Sequence, residues 1–188
     1  SAELSPPPTG LLELEELLGK NVTKQLSNKS RYFASNGLYD FSLKGRSEHL
    51  DYSTISIQFV KSLEVELGVL FKVLLDSAPE ESRKNSTNNR LKRDLENFYL
   101  ENKMFSIGTM NYILMQLKKI SKSKDNLNSF DKILIHIYTL LNSSEEYRYL
   151  YHVKFTNLLH RVTKKYRNGG AHDNKISLST CLECKNEI

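Results

Sequence analysis

The period of the apolar residues constrains this chain more than any other feature. From Thr54 to Asp76, Ile57, Val60, Leu67, Phe71 and Leu74 recur at helical spacing, and Phe59, Leu63, Leu70 and Val73 widen the stripe. From Glu145 to Arg167 a second stripe runs through Tyr147, Tyr151, Phe155, Leu158, Val162 and Tyr166, in steps of 4, 4, 3, 4 and 4. The strict apolar–polar alternation of half-buried strands is almost absent. The expected fold is all-α: an antiparallel helical bundle with two long core helices, about 54–76 and 145–167, and several shorter ones.

The shorter helices are read from their stripes and start signals. Thr9 is placed to cap a helix carrying Leu11, Leu14, Leu18 and Val22. Leu91, Leu95, Phe98 and Tyr99 mark another. Thr109 and Ser129 are expected to cap helices ending near Ile120 and Leu141, and a last short helix starts near Ser177 or Thr180. Residues 28–52 mix Ser, Asn, Gly and Asp with aromatic rings and read as an irregular connector. Two regions follow: an N-terminal helical extension with its connector over 1–50, and a helical bundle domain over 51–188.

Composition excludes several classes. With 188 residues, 39% hydrophobic and 26% charged, the chain has enough apolar surface for a real core and is not disordered as a whole. No apolar run approaches the ~20 residues of a membrane span, so no membrane partner is expected. Two cysteines cannot form a disulfide framework, which fits a reducing, cytoplasmic setting. The net charge of +5 permits nucleic-acid binding without demanding it. The chain opens on Ser1-Ala2 without a methionine, the expectation for a segment of a longer protein with further domains.

Chemistry concentrates at the end of the second long helix. Arg161, Lys164, Lys165 and Arg167 are followed by Asn168-Gly169-Gly170-Ala171-His172. Basic residues suit a last helical turn, and Asn or Gly suits the residue just beyond it. The same order also lets a Gly-Gly turn bring His172 back beside Arg167. A planar guanidinium offers a fork to phosphate oxygens. An imidazole titrates near neutrality and can move a proton to or from a ribose hydroxyl. Lys154, Arg161, Lys164 and Lys165 could line a groove for an RNA backbone. Glu64, on the first long helix, could approach and hold the arginine. Cys181 and Cys184 lack the second pair of ligands that a structural zinc site uses. No metal site and no cofactor is expected.

Arg167-Asn168-Gly169-Gly170-Ala171-His172 resembles the signature of the HEPN (higher eukaryotes and prokaryotes nucleotide-binding) domains. These are helical bundles with an arginine, often followed by a polar residue, and a histidine four to six residues later. Phe59-Val60-Lys61-Ser62-Leu63-Glu64 is similar to the family's first core helix, and Ile176 to Cys184 to its closing helix. The likeness covers about residues 50–188. It implies a metal-independent endoribonuclease, active as a homodimer, in which a ribose 2′-hydroxyl attacks the adjacent phosphate. In that scheme His172 is the general acid/base, Arg167 stabilises the phosphate and Asn168 orients the motif or contacts RNA. It also implies a setting in bacterial toxin–antitoxin or antiviral defence systems, with an antitoxin as a possible cognate partner. One departure is Asn174, where a subgroup of the family carries tyrosine. The alternative is a non-catalytic HEPN-like module for dimerisation or for protein or nucleotide binding.

Overall fold

A computed structural model of the protein describes residues 5–84, 86–123, 127–167 and 175–188. Those residues are helical and contain no strand. The fold is all-α. Helices α1 (Pro8–Leu18), α2 (Lys20–Gln25), α3 (Asn28–Lys44) and α4 (Ser53–Asp76) come first. Then follow α5 (Glu80–Lys84), α6 (Asn89–Glu101), α7 (Ile107–Lys122), α8 (Lys132–Asn142) and α9 (Glu145–Arg148). Helix α10 (Val153–Arg161) runs on into a π-helical segment, Val162–Arg167, and α11 (Leu178–Glu187) closes the chain. No helix among the described residues is long and apolar enough to cross a membrane.

The chain divides into two compact units. One joins the residues up to Glu66 with Arg161–Ile188, and the other is Leu67–His160. Helix α4 matches the expected 54–76, although the buried face runs through Ile55 and Leu75, while Val73 is exposed.

In the first unit, the segment expected to be an irregular connector is instead the 17-residue helix α3. Its buried face is made largely of small side chains: Ser30, Ala34, Ser35 and Gly37, with Leu38 and Phe41. Ser27 caps it by accepting a hydrogen bond from the Ser30 N–H at 3.2 Å. The small residues let other elements approach closely. A Cβ on Gly10 of α1 would stand 2.0 Å from the Ser35 carbonyl oxygen, and one on Gly37 would stand 2.7 Å from the Phe59 ring. Helix α1 begins one residue before Thr9, with Pro7 at the cap position, as suits a residue lacking an N–H. Gly19, at φ 83°, ends α1 and starts α2. The C-terminal segment is tied down by backbone and side chain together. The Tyr52 N–H donates to the Ile176 carbonyl at 3.0 Å, and the Ile176 N–H donates to Asp51 Oδ1 at 3.1 Å. Ser177, not Thr180, caps α11.

In the second unit, Phe71, Phe98 and Phe105 pack ring to ring around Leu75, Leu91, Leu95, Ile107 and Met110, all buried. Ser106 caps α7, accepting from the Thr109 N–H at 3.2 Å, and Thr109 donates its hydroxyl to Asp94 at 2.6 Å. Asp131, not Ser129, occupies the cap position of α8. Its carboxylate accepts from the Thr87 N–H at 2.9 Å, the Thr87 hydroxyl at 2.6 Å and the Ser86 hydroxyl at 2.8 Å. Burial raises the proton affinity of this carboxylate, but those donors outweigh it and hold the pKa below the ordinary value.

The second long helix differs most from expectation. Residues 145–167 are not one helix. A 3₁₀ turn at Tyr149–Tyr151 and an extended His152, at φ −68° and ψ 150°, separate α9 from α10. Tyr147 consequently lies off the stripe and is 46% exposed, while Tyr151, Phe155, Leu159, Val162 and Tyr166 are buried.

Candidate functional site

The region that carries Arg167 lies in the first unit, where α10 changes to π-helical hydrogen bonding over Val162–Arg167. Such turns are rare and recur at functional sites. Val162 and Tyr166 anchor the segment in the core at 0% and 1% exposure. Arg161, Lys164 and Lys165 point outward and are exposed, and Arg167 is half-buried.

Helix α11 holds this segment by complementary charge. Arg161 donates from Nε to Glu187 Oε1 at 3.1 Å, and its terminal nitrogen lies 2.9 Å from the same oxygen. The Tyr166 hydroxyl donates to Glu187 Oε2 at 2.8 Å. Lys165 pairs with Glu183 one turn earlier on α11. Arg161 and Lys165 are four apart, as are Glu183 and Glu187, so each helix presents two like charges on one face to two opposite charges. Spacing along each helix reveals those two faces, and reading them against each other is the signal that would have found Glu183 and Glu187 from sequence.

Burial tends to raise the Glu187 pKa. Hydrogen bonds from Tyr166 and Arg161, with the positive charges of Arg161 and Lys165, outweigh burial and bring it below its ordinary 4.5. Tyr166 is pushed well above its ordinary 10.0, first by burial and then by its bond to the Glu187 carboxylate. The sign of each effect follows. A depressed carboxylate stabilises the fold above its unfolded pKa, and that contribution is lost as pH falls through the folded value. A raised phenol stabilises below pH 10.0, and its contribution is lost as pH climbs beyond. Urea melts of the protein and of Glu187→Gln at about pH 7 and about pH 3.5 check the acid side. The parent is expected to lose more stability than the variant across that interval, and equal losses would show that Glu187 contributes nothing.

Glu64 of α4 stands where the sequence reading put it. Its Oε1 is 3.8 Å from a terminal nitrogen of Arg167, with the two side chains 24% and 39% exposed. A pair this exposed adds little stability, but it fixes the direction of a planar guanidinium whose remaining donors face solvent. Such a group can take up an anion.

Of the other expected site residues, Arg161 and Lys165 are engaged by carboxylates, and Lys164 is exposed. Lys154 is exposed at the start of α10, within the second unit. Asn168 and His172 lie outside the described residues. Cys181 and Cys184 are fully buried, and the Cys184 sulfur faces the Ser56 carbonyl at 3.8 Å. Burial raises both thiol pKa values, which removes thiolate character at neutral pH. Among the described residues, no three His, Cys, Asp or Glu side chains gather closely enough to hold a metal ion. No protein-family model matches the chain, and no curated protein or solved structure is significantly similar to it.

Proposed function

We propose that the protein is a HEPN-type endoribonuclease that needs no metal or cofactor and works as a cytoplasmic homodimer, the effector of a bacterial defence or toxin system. The ribose 2′-hydroxyl attacks the adjacent phosphorus as His172 takes its proton. The bond from phosphorus to the 5′-oxygen breaks, and the leaving oxygen gains a proton. The products are a 2′,3′-cyclic phosphate and a 5′-hydroxyl. Arg167 stabilises the charge that builds on the phosphate oxygens. Asn168 orients the motif, and Lys164 and Lys154 draw in the RNA backbone.

The observation that carries this reading is the Arg167–Glu64 ion pair at 3.8 Å. A partly exposed guanidinium at the end of a helix is oriented by a carboxylate from α4, and the short helix α11 follows it in the chain. A second reading, a non-catalytic module for dimerisation or docking, draws on a different observation. Pairing of Arg161 and Lys165 with Glu187 and Glu183 withdraws two cations from an RNA groove.

The two readings part in one assay. Purified protein is incubated with total RNA and tRNA in EDTA, and the product ends are analysed. Cleavage that leaves cyclic-phosphate ends is the expected result. Intact RNA at high protein concentration favours the binding module.

A further inference from the structure

Within the first unit, α1, α3, α4 and the last turn of α11 surround a cavity of about 400 Å³. That size falls within the range of pockets that take small molecules. Its walls are mainly apolar, with Leu14, Leu17, Leu38, Phe59 and Leu63 prominent. The two serine hydroxyls that reach it, on Ser30 and Ser62, satisfy each other at 2.9 Å, and Ser30 donates to the Ser62 carbonyl at 3.0 Å. A ligand therefore meets hydrocarbon over most of its surface, and no buried donor there calls for a polar partner.

The charged residues around the cavity do not cancel. Lys185 lies 2.6 Å from Glu13 and sits over the Phe41 ring. Glu187 is neutralised by Arg161. Glu66 is different: its Oε2 accepts a hydrogen bond from the Ser27 N–H at 3.1 Å, and no cation pairs with it among the described residues. The cavity thus presents one uncompensated carboxylate at the edge of an apolar wall. The chain as a whole carries +5, so this negative spot runs against the overall field.

We infer that this cavity is a binding site for a small hydrophobic cation, with an unbranched apolar body against the leucines and a protonated amine at Glu66. Apolar burial supplies the affinity, and the carboxylate supplies the sign of the preferred head group through a charge-assisted hydrogen bond. The site uses neither Arg167 nor His172, so the inference stands apart from the nuclease reading.

Three probes of matched chain length test it: decylamine, decanoate and decanol, each titrated calorimetrically below its micelle concentration. Decylamine is expected to bind saturably, and decanoate at least about tenfold more weakly, a difference of about 1.4 kcal/mol. Adsorption driven by net charge would give the opposite order, because a protein at +5 attracts the carboxylate. Glu66→Gln is expected to bring the two probes to equal affinity, with its circular dichroism melt showing that the variant remains folded. Ala34, 8% exposed on the cavity wall, tests the site by volume. Ala34→Leu is expected to weaken decylamine and decanol together. The proposal is overturned if decylamine shows no saturable binding, if decanoate binds as tightly, or if Glu66→Gln leaves the preference intact.

Discussion

His172→Ala is expected to lower RNA cleavage by about 10²- to 10⁴-fold, the usual contribution of a positioned acid or base. The loss should appear in single-turnover rates at saturating protein, because the imidazole moves a proton during the chemical step and contributes little to binding. Arg167→Ala should cost about 10²- to 10³-fold through lost stabilisation of phosphate charge. Arg167→Lys should recover only a small part, since an ammonium keeps the charge but not the fork. The double variant should be scarcely worse than His172→Ala alone, because groups that act on one transition state are not additive. Cleavage by His172→Ala at the parent rate would remove this histidine from the chemistry and the nuclease reading with it. Circular dichroism of each variant separates lost chemistry from lost fold.

Gly10→Val should destabilise the first unit by about 3 kcal/mol, the upper end of overpacking costs. A Cβ at this position would sit 2.0 Å from the Ser35 carbonyl oxygen and 2.8 Å from its carbon. Both are backbone atoms inside a helix, so no rotamer change relieves the clash, and α1 must lift away from α3. Lifting α1 uncovers Ala34, Leu38 and Phe41. The chain has two units and need not unfold in one step. The better readout is therefore local: faster amide exchange and faster proteolysis in α1 and α3, with Leu67–His160 unchanged. Thr9→Ala, one residue earlier and exposed, should stay within about 0.5 kcal/mol of the parent. Matching protection of α1 in the parent and Gly10→Val would mean that the close approach is not needed.

Gly10 also explains which parts of the fold could be read from sequence. Helix α4 was legible because large apolar residues recur along it. Helix α3 was not, because its buried face is Ser30, Ala34, Ser35 and Gly37, chosen for close approach and not for hydrophobicity. Ser, Asn and Gly carry loop propensity when counted alone, and here tertiary packing overrides it. The error at 145–167 runs the other way. The apolar spacing continues across His152 although the backbone hydrogen bonding does not, and side-chain period cannot see that break. At the site, Arg167 was legible from its neighbours, and Glu64 from its place on a core helix. Glu183 and Glu187 were passed over because their partners lie 18 to 26 residues away in sequence. Only the matched four-residue spacing of charges on the two helices records the contact.

The π-helical segment has a consequence for how this chain tolerates change in length. A π turn holds more residues than an α turn, so Val162–Arg167 is a local surplus in the helix. Shortening it by one residue would let the α-helical ladder run straight through and would turn everything after it by about 100°. Arg167 would then leave the Glu64 side of α4 although every side chain nearby was kept. Spacing from Val162 to Arg167 is thus as much a determinant of where the guanidinium points as the identity of its neighbours. Homologues that keep the arginine but drop a residue here would present it to a different surface.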